Sequence, residues 1–279
     1  MTDRALLERI AAALERIAPP LPPRVDPSAP AYVWGEHGLA PAASFAPLPI
    51  DQLTGIDVQR DAVLENSRRL AAGHAAHDIL LWGARGSGKS ALVKSSVAAL
   101  QSEGAAVTLI ESAPDQINDL PRLFAAIADW PRAAIIFIDD LAFEGQDQSV
   151  RLLRSVLEGG ANARPAHARI YVTSNRRHIV SRDMAEQANA INPRDSVDDS
   201  LALADRFGLS LGFHVCDQET YLAMIAVYAK NYGFAYDPAD ALTWAAQRGA
   251  RSGRVAWHYA VECAGRQKRK ISSKTNRID

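Results

Sequence analysis

The sequence predicts an α/β fold, with a five-stranded parallel sheet flanked by helices and a small helical domain after it. Three observations carry this reading. Between Ile79 and Val215, short apolar runs bounded by turn residues alternate with segments of 3.6-residue periodicity, as strands and helices do in a sheet covered on both faces. A glycine-rich loop, Gly83 to Ser90, joins the first of these runs to the first helical segment. After Val215 the strand signal stops and only helical patterns follow.

Taken in order, residues 1–18 read as an amphipathic helix through Leu6, Leu7, Ile10, Leu14 and Ile17, ended by Pro19-Pro20. Residues 19–49 hold Pro22, Pro23, Pro27, Pro30, Pro41 and Pro47 and read as a stiff, extended arm or linker. Tyr32, Val33, Trp34 and Phe45 make it too apolar for a solvated tether, so it should dock on its own domain or on a neighbour. The core, residues 50–215, opens with Leu53-Thr54-Gly55-Ile56-Asp57 and a helix carrying Val58, Val63, Leu64 and Leu70. Five strand-like runs follow: Ile79 to Trp82, Ala106 to Ile110, Ala134 to Ile138, Ile170 to Thr173, and Leu209 to Val215. Helical patterns from about Lys89 to Ser102, Leu120 to Ala128 and Gln148 to Glu158 lie between them. In residues 216–270, Asp217 caps a helix through Tyr228, Pro238 opens another through Ala246, and a third runs from Gly253 to about Arg269. Residues 271–279 form a basic tail.

Composition excludes more than it selects. The chain of 279 residues is 48% hydrophobic with a formal net charge of -1, so a sizeable core is affordable and no global charge calls for nucleic acid or membrane. Cys216 and Cys263 are the two cysteines, too few for a secreted disulfide framework. No apolar stretch approaches a membrane span, and a cytoplasmic setting is expected. H-E-x-x-H, C-x-x-C and G-x-S-x-G patterns are all missing, which leaves zinc hydrolysis, dithiol redox and serine esterase chemistry without support.

The loop Gly-Ala-Arg-Gly-Ser-Gly-Lys-Ser is a full G-x-x-x-x-G-K-[ST] pattern between a strand and a helix. Glycines there let successive N–H groups turn inward around a phosphate at a helix N-terminus. Residues Gly83, Ala84, Arg85, Gly86, Ser87, Gly88, Lys89, Ser90 and Ala91 are therefore the expected nucleotide contacts, joined by Ile56 from the preceding segment. Lys89 should reach the β- and γ-phosphates and Ser90 should ligate Mg²⁺. The run Ala134 to Ile138 delivers Asp139 and Asp140 to the same sheet edge, Asp139 toward the Mg²⁺ shell and Asp140 toward the attacking water. Asn175, at the end of Ile170-Tyr171-Val172-Thr173-Ser174, presents a neutral amide that positions water without adding charge.

Together these residues resemble the AAA+ ATPase superfamily over about Pro49 to Arg269. The loop is similar to Walker A, Ile135 to Asp140 to Walker B, and Asn175 to sensor 1. Leu203-Ala204-Asp205-Arg206-Phe207-Gly208 resembles the segment that supplies an arginine finger, and Ala250-Arg251-Ser252-Gly253-Arg254-Val255 resembles sensor 2. Arg206 and Arg254 are the corresponding candidates. A closer resemblance, carried by Leu81 to Gly86, Asp139 to Glu144, Leu157-Glu158-Gly159, Tyr171 to His178 and Leu203 to Leu209, is to the bacterial AAA+ family known as domain of unknown function 815. It implies a P-loop AAA+ core with a helical lid, ATP and Mg²⁺ as ligands, and a homo-oligomer in which Arg206 serves a neighbouring subunit. Most AAA+ proteins place Glu second in the strand-end pair; this chain has Asp140, with Glu144 four residues on. Either fits the base, and the strand-end position favours Asp140.

Three functional readings compete: an oligomeric ATPase remodelling a protein partner, a nucleotide-dependent switch with slow hydrolysis, and a loader linked to nucleic acid. Glu111-Ser112-Ala113-Pro114-Asp115, after the second strand, lacks an aromatic-apolar-Gly loop and argues against a threading unfoldase. The basic residues Arg266, Lys268, Arg269, Lys270, Lys274 and Arg277 could meet phosphates or simply end a helix.

Overall fold

The computed structural model describes residues 4, 9, 25–141, 148–159, 164–175 and 205–271. The helix expected over residues 1–18 and the tail over 271–279 lie outside these, apart from Arg4, Arg9 and Ile271. Among the described residues one sheet is formed from β1 (Ala31–Gly35), β2 (Gly38–Pro41), β3 (Ile79–Gly83), β4 (Val107–Ser112), β5 (Ala133–Ile138), β6 (Ala168–Ser174) and β7 (Leu209–Phe213). Their order is β2-β1-β4-β5-β6-β3-β7, parallel throughout except for the β1–β2 hairpin.

Among the described residues seven strands, not five, make the sheet. The additional pair comes from the proline-rich stretch, which lies on its own domain. Tyr32 and Trp34 alternate with exposed Val33 and bury into one face, and β1 runs parallel to β4 with Val33 opposite Glu111. This alternation is too short to stand out among flanking prolines. Hydrogen bonds fix the approach to it: Arg132 Nη1 donates to the carbonyl of Pro27 at 2.7 Å, and Gln101 Nε2 to that of Pro30 at 2.8 Å. Thr108 Oγ1 donates to the same Pro30 carbonyl at 3.1 Å.

Side-chain alternation sets the layers. Leu81, Phe137 and Tyr171 face one side, where α1 (Asp57–Ala71) brings Val63 and Leu70 and α2 (Lys89–Ser102) brings Leu92, Val93 and Val97. Ile136, Ile138 and Val172 face the other, against Leu120, Leu123 and Phe124 of α3 (Leu120–Ile127) and Leu153 of α4 (Gln148–Leu157). Every side chain of β5 is buried, as its uninterrupted apolar run requires of a central parallel strand.

The last three helices bury a cluster of their own around Tyr221, Ile225, Ala241 and Tyr259. Each has an acceptor at its start. Asp217 accepts from Thr220 N at 2.7 Å before α5 (Gln218–Tyr232), and Asp237 from Ala239 N at 2.9 Å before α6 (Pro238–Gln247). Ser252 Oγ accepts from Val255 N at 3.3 Å before α7 (Gly253–Arg266). Among the described residues no helix is long and apolar enough to cross a membrane.

Candidate functional site

The strand order creates the site. β3 pairs with β6 on one side and β7 on the other, while the chain leaving β3 crosses through α2 to β4, farther out. Ligands of open parallel sheets bind outside the strands' carboxyl ends at such a switch point. There β3 ends in the glycine-rich loop, β5 ends before Asp139, and β6 ends before Asn175.

The loop needs its glycines for two reasons. Gly83 has φ 126°, and a Cβ there would meet the Phe213 carbonyl oxygen at 2.1 Å, because β7 passes directly against the loop. Gly88 has φ 97° and is the N-cap of α2, where no side chain caps the first N–H groups. Those donors stay available to an anion. Ser87 Oγ is buried without a partner.

Lys89 is buried, at 5% exposure, and donates to the carbonyls of Gly83 at 3.0 Å and Ala84 at 2.8 Å and to Asn175 Oδ1 at 3.1 Å. All three acceptors are neutral, and no carboxylate of the described residues lies within ion-pair distance of it. Burial pushes the ammonium below the usual lysine range; Asp140 and Asp139 oppose that shift, and Arg254 adds to it.

The two aspartates are held by a threonine that the sequence reading passed over. Thr173 Oγ1 donates to Asp139 Oδ1 at 2.6 Å and accepts from Asp140 N at 2.8 Å. Ser90 Oγ donates to the same Asp139 oxygen at 2.6 Å. Asp140 is exposed, with the left-handed φ of 56°, and its carboxylate accepts from Asn175 Nδ2. Asn175 thus bridges Lys89 and Asp140 through the two ends of one amide. The only signal for Thr173 was its place two residues before Asn175, on the strand face shared with Tyr171.

These groups line a cleft of about 320 Å³, within the range of small-molecule sites. Ile56, the loop residues Arg85 to Ala91, Asp139, Asp140, Asn175 and Arg254 all border it. Gly83 and Ala84 lie behind its wall, holding Lys89. The helical cluster closes the far side: the Arg254 N–H donates to the Gly86 carbonyl at 3.3 Å, and a Cβ on Gly86 would meet Ser252 Oγ at 3.1 Å. The apolar end of the cleft, with Leu48, Leu53, Met224, Tyr228 and Trp257 beside Gln52, was not anticipated. Helix periodicity marks such residues only as core.

Arg206 does not line this cleft; its guanidinium pairs with Glu158, just after α4. Glu144 lies outside the described residues.

The donor set suits the nucleotide and metal that the motifs imply. A buried cation with no carboxylate partner among the described residues and an uncapped helix start suit an anion, and the oxygens of Ser90 and Asp139 are ligands of the hard type Mg²⁺ takes.

Residues 27–267 match the family described as protein of unknown function (DUF815). The chain belongs to that family. No curated protein matches the DUF815 chain in sequence. Among solved structures it is similar to the Holliday junction branch migration motor RuvB of Thermotoga maritima, with a TM-score of 0.52 at 16% identity, over 80% of this chain and 67% of that one. A variant of that RuvB gives 0.55 at 17% identity, over 82% and 70%. The replication initiator DnaA bound to AMPPCP and single-stranded DNA gives 0.50 at 14% identity, over 79% and 67%. The likeness is one of fold: the DUF815 chain shares the α/β architecture of these proteins.

Proposed function

We propose that this DUF815 protein binds ATP with Mg²⁺ between the sheet edge and the helical cluster. It hydrolyses ATP to ADP and phosphate to drive a conformational change in an oligomer that acts on a protein partner. The observation supporting this most directly is the Lys89–Asn175–Asp140 bridge beside Ser90 and Asp139. One amide sets the spacing between the group that would grip the γ-phosphate and the group that would face the attacking water.

The backbone N–H groups at the start of α2 and the Lys89 ammonium hold the β- and γ-phosphates. Mg²⁺ held by Ser90 and Asp139 would neutralise charge on those oxygens. Asp140 accepts a proton from water, oriented by its bond from Asn175. Arg254, on the helix that touches Gly86, reports whether the phosphates are in place. Arg206 serves a neighbouring subunit, since in its own chain it is held by Glu158 away from the cleft. In this reading the three C-terminal helices act as the lid, and the protein works in the cytoplasm.

A second reading, a switch or loader linked to nucleic acid with slow hydrolysis, draws on the exposed Arg266, Lys268, Arg269 and Lys270 at the end of α7. The Arg266–Glu262 ion pair, at 2.8 Å, and the net charge weigh against it. The deciding measurement is ATP turnover per chain against protein concentration, with and without DNA. The first reading expects turnover to rise with concentration and to ignore DNA. Concentration-independent, slow turnover accelerated by DNA would replace it with the second.

A further inference from the structure

The apolar end of the cleft contains one buried side-chain amide. Gln52 is 7% exposed and belongs to the short helical turn Ile50–Gln52, ahead of the phosphate loop in sequence but beside it in space. Leu53, Met224, Tyr228 and Trp257 surround this end with flat or flexible apolar surface, which suits a planar base and carries no information about its hydrogen-bonding edge. Gln52 carries that information. Its Oε1 accepts from the hydroxyl of Tyr232 at 3.2 Å, so the carbonyl end of the amide is engaged and Nε2 keeps its donors for the cleft.

Tyr232 is itself fixed. Its ring lies 5.8 Å from that of Trp257 at 73°, and Trp257 lies 5.3 Å from Tyr228 at 80°. Burial pushes its phenol above the usual tyrosine range, so the hydroxyl retains the proton that it gives to Gln52 Oε1. The amide's orientation is therefore set by a side chain on α5, the helix packed against the turn that carries Gln52.

We propose that Gln52, its amide oriented by Tyr232, selects adenine over guanine at this site, with Gln52 contacting the base and Tyr232 acting as a positioning residue. The proposal rests on the triphosphate reading above. The chemistry is a donor–acceptor match. Adenine carries an acceptor at ring nitrogen N1 on its Watson–Crick edge, where guanine carries N1–H, and a buried donor facing another donor leaves both unpaired. Sites that read a base edge by a hydrogen bond discriminate more sharply than apolar pockets do. Freed from Tyr232, the amide would turn and offer its carbonyl, which accepts from guanine.

The test is competition of ATP and of GTP against a ribose-labelled fluorescent ATP analogue on the full chain, with melting curves to confirm folding. Wild type should prefer ATP by at least about tenfold, the size of one discriminating hydrogen bond. Gln52→Leu and Tyr232→Phe should each narrow the ATP-to-GTP ratio to within about threefold, and Tyr232→Phe should do so while keeping the ring on Trp257. If Gln52→Leu does not fold, Tyr232→Phe alone decides. A wild type without preference, or a ratio unchanged in the folded variants, overturns the base-reading role while leaving the phosphate site intact. A wild type that binds neither nucleotide overturns the triphosphate reading, and this inference with it.

Discussion

Lys89 takes a full charge into the protein and finds three neutral oxygens there. Its depressed proton affinity means that the folded state binds this proton less tightly than the unfolded chain, so the protonated residue costs stability below its folded pKa. That cost fades as pH rises toward the ordinary lysine value of 10.5. Lys89→Met should therefore melt no lower than wild type at neutral pH, with any advantage shrinking as pH rises, while fluorescent-nucleotide titration finds ATP binding lost. Wild-type affinity in that variant would end the assignment. Asp139 and Asp140 should separate in turn: Asp139→Asn loses the Mg²⁺ dependence of ATP affinity, and Asp140→Asn binds ATP but turns it over at least about a hundredfold more slowly, as expected on losing a general base. Should Glu144→Gln stall hydrolysis and Asp140→Asn not, the base is Glu144. Lys89, Ser90, Asp139 and Asn175 were legible in sequence because their chemistry forces their spacing. Thr173 and Gln52 were not, because a strand threonine and a glutamine in a turn have many ordinary uses, and only the fold brings them to the cleft.

At the scale of elements, loop, strand and helix are locked together by close approaches that admit no side chain. A Cβ at Gly83 would collide with the Phe213 carbonyl, and φ 126° is closed to alanine. Gly83→Ala should cost at least about 2 kcal/mol from strain and overpacking, lowering the melting temperature by about 5 °C or more. Gly86→Ala meets Ser252 Oγ at 3.1 Å and the Arg254 Cβ at 3.3 Å, both on the α7 side of the cleft. It should weaken ATP binding more than it lowers the melting temperature; the reverse order would show that α7 does not need this contact for binding. The elements themselves were largely legible. Five strands and the helices between them follow from alternating periodicity, and the starts of α5, α6 and α7 follow from Asp217, Pro238 and Gly253. β1 and β2 were hidden because Ala31 to Gly35 is a short apolar burst between prolines, and its strand character depends on β4 being there to pair with.

For the whole molecule, the placement of Arg206 bears on assembly. Glu158 pairs with it outside its own cleft, so the role proposed for it in hydrolysis would be exercised across an interface. Arg206→Ala should keep ATP affinity and lose hydrolysis, and mixing it with Lys89→Ala chains should restore activity, because each supplies what the other lacks. Absence of rescue, with a monomer by light scattering in the presence of ATP, would leave Arg206 as a structural residue and favour the self-contained switch. The hairpin of β1 and β2 has a different consequence. It occupies the hydrogen-bonding edge of β4, a strand reading Val-Thr-Leu-Ile-Glu-Ser, and its own outer strand ends in exposed Ala40 and Pro41. Proline on an outermost strand offers no N–H for another chain to grip. A chain shortened to start at Ile50 would keep every residue of the phosphate loop and yet uncover β4, so it should precipitate or form thioflavin-positive aggregates where the full chain stays dispersed. On that outcome, the arm that docks through β1 also serves as a stopper against runaway sheet growth.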